Sequence, residues 1–496
     1  MANTKLINLS SSANSAKVLF ATDEWFAGCD NLLSPYPPTF VADLYCEQGK
    51  VMDGWETRRK RTEGHDWCVV KLGSGEGGSS SGPMMIESVE LDTAYFTGNQ
   101  APRVSIEAMK ITRDTQEDCN EDNDDYLYNW MPGATSRLVR GKDMQGTGQS
   151  PDVIRRADAA CQAAALNTTD QRSGEWIAVL PMVELKPGYE ESRYHKFELE
   201  MDAKRKLEEI GGVTHIRLNY YPDGGVARMN IWGYPILSSS VTALTNGSQK
   251  ISLGQNQGSI AGATTIHPHS STTSTNPPPS STAYHQPELS SVLHGGQGLA
   301  CSNKHYGVPA NLIRTTLGVD MGDGWETARH PQRPAVVTKD PVTGLQDTPL
   351  MDWAVLKLGL GGVVEKMDGD DSKGGVERII IDTRHFKGNF PESVRIDACC
   401  CRELSDDEVC ASAATTDDDN NSSAVEWFPL LKRTSLSADA EHEFLRDNGE
   451  MIVSGNRGVT HVRVSIYPDG GLSRVRIYGC PFTKNIGDSA RLISHL

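Results

Sequence analysis

Asp53-Gly54-Trp55-Glu56-Thr57-Arg58-Arg59 returns 270 residues later as Asp323-Gly324-Trp325-Glu326-Thr327-Ala328-Arg329. Four more blocks return in the same order. Asp66-Trp67-Cys68-Val69-Val70-Lys71-Leu72-Gly73 matches Asp352-Trp353-Ala354-Val355-Leu356-Lys357-Leu358-Gly359, and Asp92-Thr93, Phe96 and Gly98-Asn99 match Asp382-Thr383, Phe386 and Gly388-Asn389. Glu175-Trp176 matches Glu426-Trp427, and Tyr221-Pro222-Asp223-Gly224-Gly225 matches Tyr467-Pro468-Asp469-Gly470-Gly471. Ordered recurrence of this kind is a tandem duplication, with a unit of about 180 to 220 residues, the size of a domain and not of a solenoid repeat. The block offsets run 270, 286, 290, 251 and 246, so the second copy carries an insert between Arg329 and Asp352 and the first a longer one between Ala108 and Trp176.

The shared blocks read mostly as strands. Ile216, Leu218 and Tyr220 alternate with Arg217 and Asn219, and Val462, Val464 and Ile466 alternate with Arg463 and Ser465. Period two with β-branched and aromatic residues marks half-buried strands. Pro-Asp-Gly-Gly carries turn chemistry, which predicts hairpins over Thr214 to Tyr234 and Thr460 to Tyr478. Helices are expected over Asp152 to Leu166, Phe197 to Ile210 and Ala438 to Arg446. The fold class is therefore all-β, with a sandwich or jelly roll in each copy. Residues 237–299 are rich in Ser, Thr, Gly, Asn and Pro and read as a flexible linker. The expected organisation is a tail over 1–17, a first domain over 18–236, that linker, a second domain over 300–482 and a tail over 483–496.

Among 496 residues, 65 acids against 48 bases leave a formal charge of −17, which argues against broad binding of nucleic acid or an anionic membrane. Residues 114–125 and 403–419 hold seven acids each and no base. Those stretches account for most of the excess and read as solvated inserts, which leaves the duplicated cores nearly neutral. No apolar run is long enough to span a bilayer. The eleven cysteines include no C-x-x-C pair and read as reduced thiols of an intracellular protein. Ser494-His495-Leu496 is one substitution from a peroxisomal address, which adds that compartment to the cytoplasmic expectation. No metal-ligand pattern occurs, so no metal site is assigned; a divalent ion stays an open alternative.

The densest chemistry lies in residues 53–61. Arginine forks bind planar carboxylates bidentately, so Arg58 and Arg59 are candidates to hold a small anion. Asp53 and Glu56 could orient them or act as acid and base, and the plainer alternative is a surface loop pairing with itself. His65, beside Asp66, is a candidate acid–base residue that the second copy replaces with Met351. Trp55, Lys71, Arg217 and Arg228 complete the candidate binding set. His215, Asp223 and Asp469 read as structural. The residues alone support two β-sandwich units with an Arg-rich loop suited to a small anionic ligand.

Asp53-Gly54-Trp55-Glu56-Thr57-Arg58-Arg59-Lys60-Arg61, Gly64-His65-Asp66-Trp67-Cys68, Asp92-Thr93-Ala94-Tyr95-Phe96-Thr97-Gly98-Asn99 and Tyr221-Pro222-Asp223-Gly224-Gly225 resemble the signatures of the allantoicases. The resemblance covers residues 18 to 236 and 300 to 482. It implies two jelly-roll (galactose-binding-like) domains and hydrolysis of allantoate to ureidoglycolate and urea in purine degradation and nitrogen utilisation. Under it, Arg58 or Arg59 would clamp the substrate carboxylate, Asp53 and Glu56 would accept ureido N–H groups, and His65 or Glu56 would be acid or base. Ala328 and Met351 stand where the first copy has Arg58 and His65, so the main site is expected in the first copy, at or near the contact of the two domains. The partners expected are allantoate and further copies of the chain, with no nucleic acid or membrane. Two alternatives remain at this point: a non-catalytic jelly roll binding a sugar or small anion, and a metal-dependent allantoate amidohydrolase.

Overall fold

The computed structural model describes residues 6–73, 82–111, 130–134, 137, 144–166, 176–236, 286–362, 375–414, 425–452 and 458–481. The acidic stretch 114–125, the linker from 237 to 285 and the terminal Ser494-His495-Leu496 lie outside the described residues.

Each copy is a sandwich of two antiparallel sheets. In the first copy a five-stranded sheet runs in the order Ile177–Glu184, Arg103–Met109, His215–Tyr220, Asp66–Lys71, Lys17–Ala21. The facing sheet runs Ile7–Asn8, Arg228–Pro235, Met84–Asp92, Tyr194–Glu198. The second copy repeats this with Phe428–Ser435, Ser393–Cys399, Val459–Tyr467, Asp352–Gly362 and Gln297–Cys301 against Arg474–Gly479, Val376–Asp382 and Glu441–Leu445. Alternation sends Ile216, Leu218 and Tyr220 inward, and Val462, Val464 and Ile466 likewise; all are buried. Each copy has its own apolar core, one holding Trp55 and the other Trp325. Burying such aromatics supplies much of the driving force for each sandwich.

Three sequence expectations change. Pro-Asp-Gly-Gly does not close a hairpin: His215–Tyr220 pairs with Asp66–Lys71 and Arg103–Met109, while Arg228–Pro235 pairs with Met84–Asp92 in the other sheet. The turn is a crossing between sheets, and its counterpart does the same between Val459–Tyr467 and Arg474–Gly479. Its glycines answer to packing. A Cβ on Gly225 would lie 2.1 Å from the Phe96 ring, and Gly224 sits at φ +140° with Ala101 N 2.4 Å from a would-be Cβ. Ala438 to Arg446 is not helical; Glu441–Leu445 is an edge strand against Val376–Asp382, because sheet pairing overrides its helix-favouring composition. Phe197 belongs to the strand Tyr194–Glu198, and the helix starts only at Met201 and ends at Glu209. The helix expected from Asp152 spans Pro151–Leu166 and covers the outer face of the five-stranded sheet through Ala157 and Cys161.

The sandwiches also extend past the boundaries read from sequence. Ile7–Asn8 pairs with Arg228–Pro235, and Leu9 lies in the first core. Leu289 lies in the second core, and Gln297–Cys301 is one of its strands. Part of the acidic stretch 403–419 is ordered as the helix Asp406–Ser412, with a capping box from Ser405 and Glu408. Its Asp406 accepts from Lys357 at 2.9 Å.

Candidate functional site

Pleating sends Trp55 and Glu56 to opposite sides. Trp55 enters the core, where its indole N–H donates to the Asp23 carbonyl at 2.8 Å. Glu56 turns toward the second copy and is buried. Its Oε1 accepts from Asn99 Nδ2 at 2.9 Å and from Arg329 Nη1, in the other copy, at 3.3 Å. The second copy answers in kind: Glu326 Oε1 accepts from Asn389 Nδ2 at 2.8 Å and from Arg59 Nη2 at 2.8 Å. Two Glu–Asn–Arg sets result, each borrowing its arginine from the opposite copy.

The repeated turns lock this exchange. Arg59 Nη1 donates to Asp469 at 2.7 Å, and Arg329 Nε donates to Asp223 at 2.7 Å. Arg333 adds a second guanidinium on Asp223 at 2.6 Å, and Arg61 a second on Asp469 at 3.3 Å. Both aspartates are fully buried. Burial alone would raise their pKa, but Arg333 and Arg329 at Asp223, and Arg59, Arg333 and Arg61 at Asp469, outweigh it and hold both well below the carboxylate range. The insert after Arg329 joins the same contact: Gln346 Nε2 donates to the Lys60 carbonyl at 2.9 Å, and Val337 pairs with Gly64.

Both Glu–Asn–Arg sets line one cavity of about 240 Å³. That is below the roughly 300–1,000 Å³ typical of drug-sized ligands and suits a compact substrate. Phe26, Phe40, Lys50, Tyr95 and His305 form its walls. The Lys50 ammonium sits 4.8 Å from the Phe40 ring centroid and 5.4 Å from that of Tyr45. Burial pushes the Glu56 carboxyl up, against the opposing pull of Arg329 and Asn99. Burial also pushes the His305 imidazole down, which favours its neutral form.

One layer of the site differs between copies. The His305 ring lies on Gly98, whose would-be Cβ is 2.9 Å from Cε1. In the corresponding place on Gly388 stand Arg58 and Phe26, each 2.8 Å from a would-be Cβ, and Trp25 at 3.0 Å. Arg58 stacks 5.1 Å from the Trp25 ring and donates through Nε to Asp23 at 2.6 Å. Ala328 and Asn303 replace that pair in the second copy, where Asn303 accepts from the Ala328 N–H at 3.0 Å.

Of the residues singled out by sequence, the structure brings Glu56 and Arg59 into the cavity. Arg58 packs behind it. Trp55 is enclosed in the core and has no surface to offer a substrate. Asp53 and Arg228 pair with each other at 2.9 Å, a lock that Asp323 and Arg474 repeat. His65 and Arg217 lie on the outer face of the five-stranded sheet, both bonded to Asn219 Oδ1, at 3.2 and 3.0 Å. Lys71 sits at the end of that sheet opposite His215. None of these seven, Arg58 included, lines the cavity. Sequence reasoning passed over Asn99, Asn389, Glu326, Arg329, Lys50 and His305. Four of them stood inside the repeated blocks, and the repetition was the available signal. Among the described residues no three His, Cys, Asp or Glu side chains converge to hold a metal.

A family model described as the allantoicase repeat matches residues 7–141, 142–236 and 287–482. A protein of Stutzerimonas stutzeri named "probable allantoicase" is 30% identical over 475 residues, 96% of each chain. Another of that name from Pseudomonas fluorescens is 28% identical over the same shares. The crystal structure of allantoicase from Saccharomyces cerevisiae aligns over 97% of this chain and 94% of that one, at 24% identity and a TM-score of 0.28. The family match runs through both copies and takes in each of the repeated blocks that meet at the cavity, so the chain belongs to the allantoicase family.

Proposed function

We propose that the cavity between the two copies is where this chain hydrolyses allantoate to ureidoglycolate and urea. The observation that carries the placement is the pair of Glu–Asn–Arg sets lining one small cavity, each assembled from both copies. Allantoate is a small monoanion with planar ureido groups, rich in N–H donors and carbonyl acceptors. The Glu326 carboxylate, with the Asn99 and Asn389 carboxamides across the cavity, matches those groups. The Arg59 terminal nitrogens are committed to Asp469, Glu326 and the Thr327 carbonyl. The substrate carboxylate therefore falls to Lys50, held between two rings.

Hydrolysis breaks a C–N bond at the central carbon. The departing urea nitrogen needs a proton, and Glu56, whose carboxyl is pushed up by burial, is the acid. Water supplies the new hydroxyl, and His305, kept neutral by burial, takes its proton. The cytoplasmic location and homo-oligomeric assembly expected from the sequence stand as proposals beside this one.

The test is product analysis after incubation with allantoate, with and without a chelator. Urea and ureidoglycolate in equal amounts, unaffected by the chelator, are expected. Ammonia in place of urea, lost on chelation, would point to the metal-dependent amidohydrolase, and no turnover to a binding protein.

A further inference from the structure

We infer that the two Glu–Asn–Arg sets divide the substrate between them: Glu326 and Asn389 hold the ureido arm that stays, while Glu56, Asn99 and His305 act on the arm that leaves. This rests on the function proposed above and assigns the halves of that site.

Allantoate carries two identical ureido arms on one carbon, together with a carboxylate and a hydrogen. The cavity is doubled in the same sense, since Glu56 and Glu326, Asn99 and Asn389, and Arg329 and Arg59 all line it. Equivalent donors and acceptors facing two equivalent arms give each arm its own seat. Two equal seats would cleave either arm. The layer above the seats is unequal, and it sets the roles. Beside Asn99 the imidazole of His305 lies on Gly98, a ring that can accept and release a proton. Beside Asn389 the Phe26 ring and the Trp25 indole lie on Gly388, backed by Arg58; a phenyl ring has no proton to move and an indole offers only a fixed N–H. The titratable ring thus lies against the Asn99 side of the cavity, where the Asn389 side has an indole.

The second seat has the features of a holder. Asn389 is 5% exposed, whereas Asn99 is only half-buried. The Asn389 Nδ2 must face the Glu326 carboxylate, to which it donates at 2.8 Å. That leaves Oδ1, buried and without a partner, as an acceptor for a ureido N–H. The step then balances within the first seat. The C–N bond to the leaving arm breaks, and its nitrogen takes the Glu56 proton. A C–O bond forms to water, and the water proton goes to His305. The proton then returns from His305 to Glu56 through solvent, and no redox change occurs. Only one of the two enantiotopic arms is replaced, from one side, so one enantiomer of ureidoglycolate forms.

The experiment compares Asn389→Ala with Asn99→Ala in the full-length protein, reading kcat, KM and, by circular dichroism, the enantiomeric purity of the ureidoglycolate. For Asn389→Ala, kcat/KM is expected to fall about tenfold or more, mainly through KM, with loss of enantiomeric purity as the retained arm loses its seat. For Asn99→Ala the loss is expected mainly in kcat, with purity kept. If Asn389→Ala does not fold, Asn389→Ser serves with the same outcomes. A loss in kcat alone at position 389, or a KM rise with purity intact, would overturn the assignment of arms. Wild-type protein that releases no urea from allantoate would instead overturn the hydrolase reading itself.

Discussion

His305 and Trp25 occupy corresponding places in the two copies, one on Gly98 and the other on Gly388, and they show where duplication was kept and where it was abandoned. Beneath them the copies agree closely. Glu56 and Glu326, Asn99 and Asn389, Arg329 and Arg59, and Asp223 and Asp469 make the same bonds with the copies exchanged. Above them the first copy placed Trp25, Asp23 and Arg58 where the second has His305, Asn303 and Ala328. The exchange of arginines ties each copy to the other and cannot drift on one side alone. The layer over it is bound by no such reciprocity, and there one half carries a titratable ring while the other is filled.

The largest effect should come from breaking the shared layer. Asp469→Ala leaves Arg59, Arg61 and Arg333 buried around a lost partner, which costs about 3–5 kcal/mol and abolishes urea release. Guanidinium unfolding would measure it. Asp53→Ala, at a pair within one copy whose carboxylate is 27% exposed, should cost clearly less. The same comparison has a pH form. Asp223 and Asp469 have depressed folded-state pKa values, so their contribution is complete above the unfolded carboxylate value of about 4 and is lost as pH falls below it. A double Asp223→Asn, Asp469→Asn variant should lack that acid dependence of the unfolding midpoint.

Next comes Glu56→Gln, which keeps the shape of the seat and removes the proton. Its kcat should fall by about 10²–10⁴, read from urea release at saturating allantoate. A smaller effect is expected in the pH profile. The acid limb of kcat/KM should report a base titrating below the ordinary imidazole value of about 6.5, because burial disfavours the charged His305 ring. Smallest is Arg58→Ala, which opens the filled half toward the condition of the other. KM should shift by no more than about threefold and kcat should hold, since Arg58 lies behind the cavity wall.

The duplication, the all-β class and the strands with strict alternation were legible because each is a local property of a repeated string. The site was legible only in part. Glu56 and Arg59 stood out as an acid and a base in a dense loop, but so did Arg58, Asp53 and Trp55, which pleating and packing turn elsewhere. His65-Asp66 looked like acid–base chemistry, yet the strand sends His65 to the outer face against Tyr221, 4.7 Å between ring centroids. In the sequence Asp223 and Asp469 read as structural turn residues. They do occupy turns, but their carboxylates are the anchors of the other copy's arginines, a contact 106 residues away in sequence for Arg329 and 410 for Arg59. No local pattern announces such a pairing. Pro-Asp-Gly-Gly misled for a related reason: the turn chemistry is real, but which sheet the chain enters next is decided by the core.

The proposed site lies between the copies and not on the outer face of the first. It is tested most directly by the kcat of His305→Ala and His65→Ala, measured side by side by urea release from allantoate. His305→Ala is expected to lose at least about a hundredfold while His65→Ala stays within about threefold of wild type. Loss confined to His65→Ala, with His305→Ala near normal, would put the chemistry on the outer face instead.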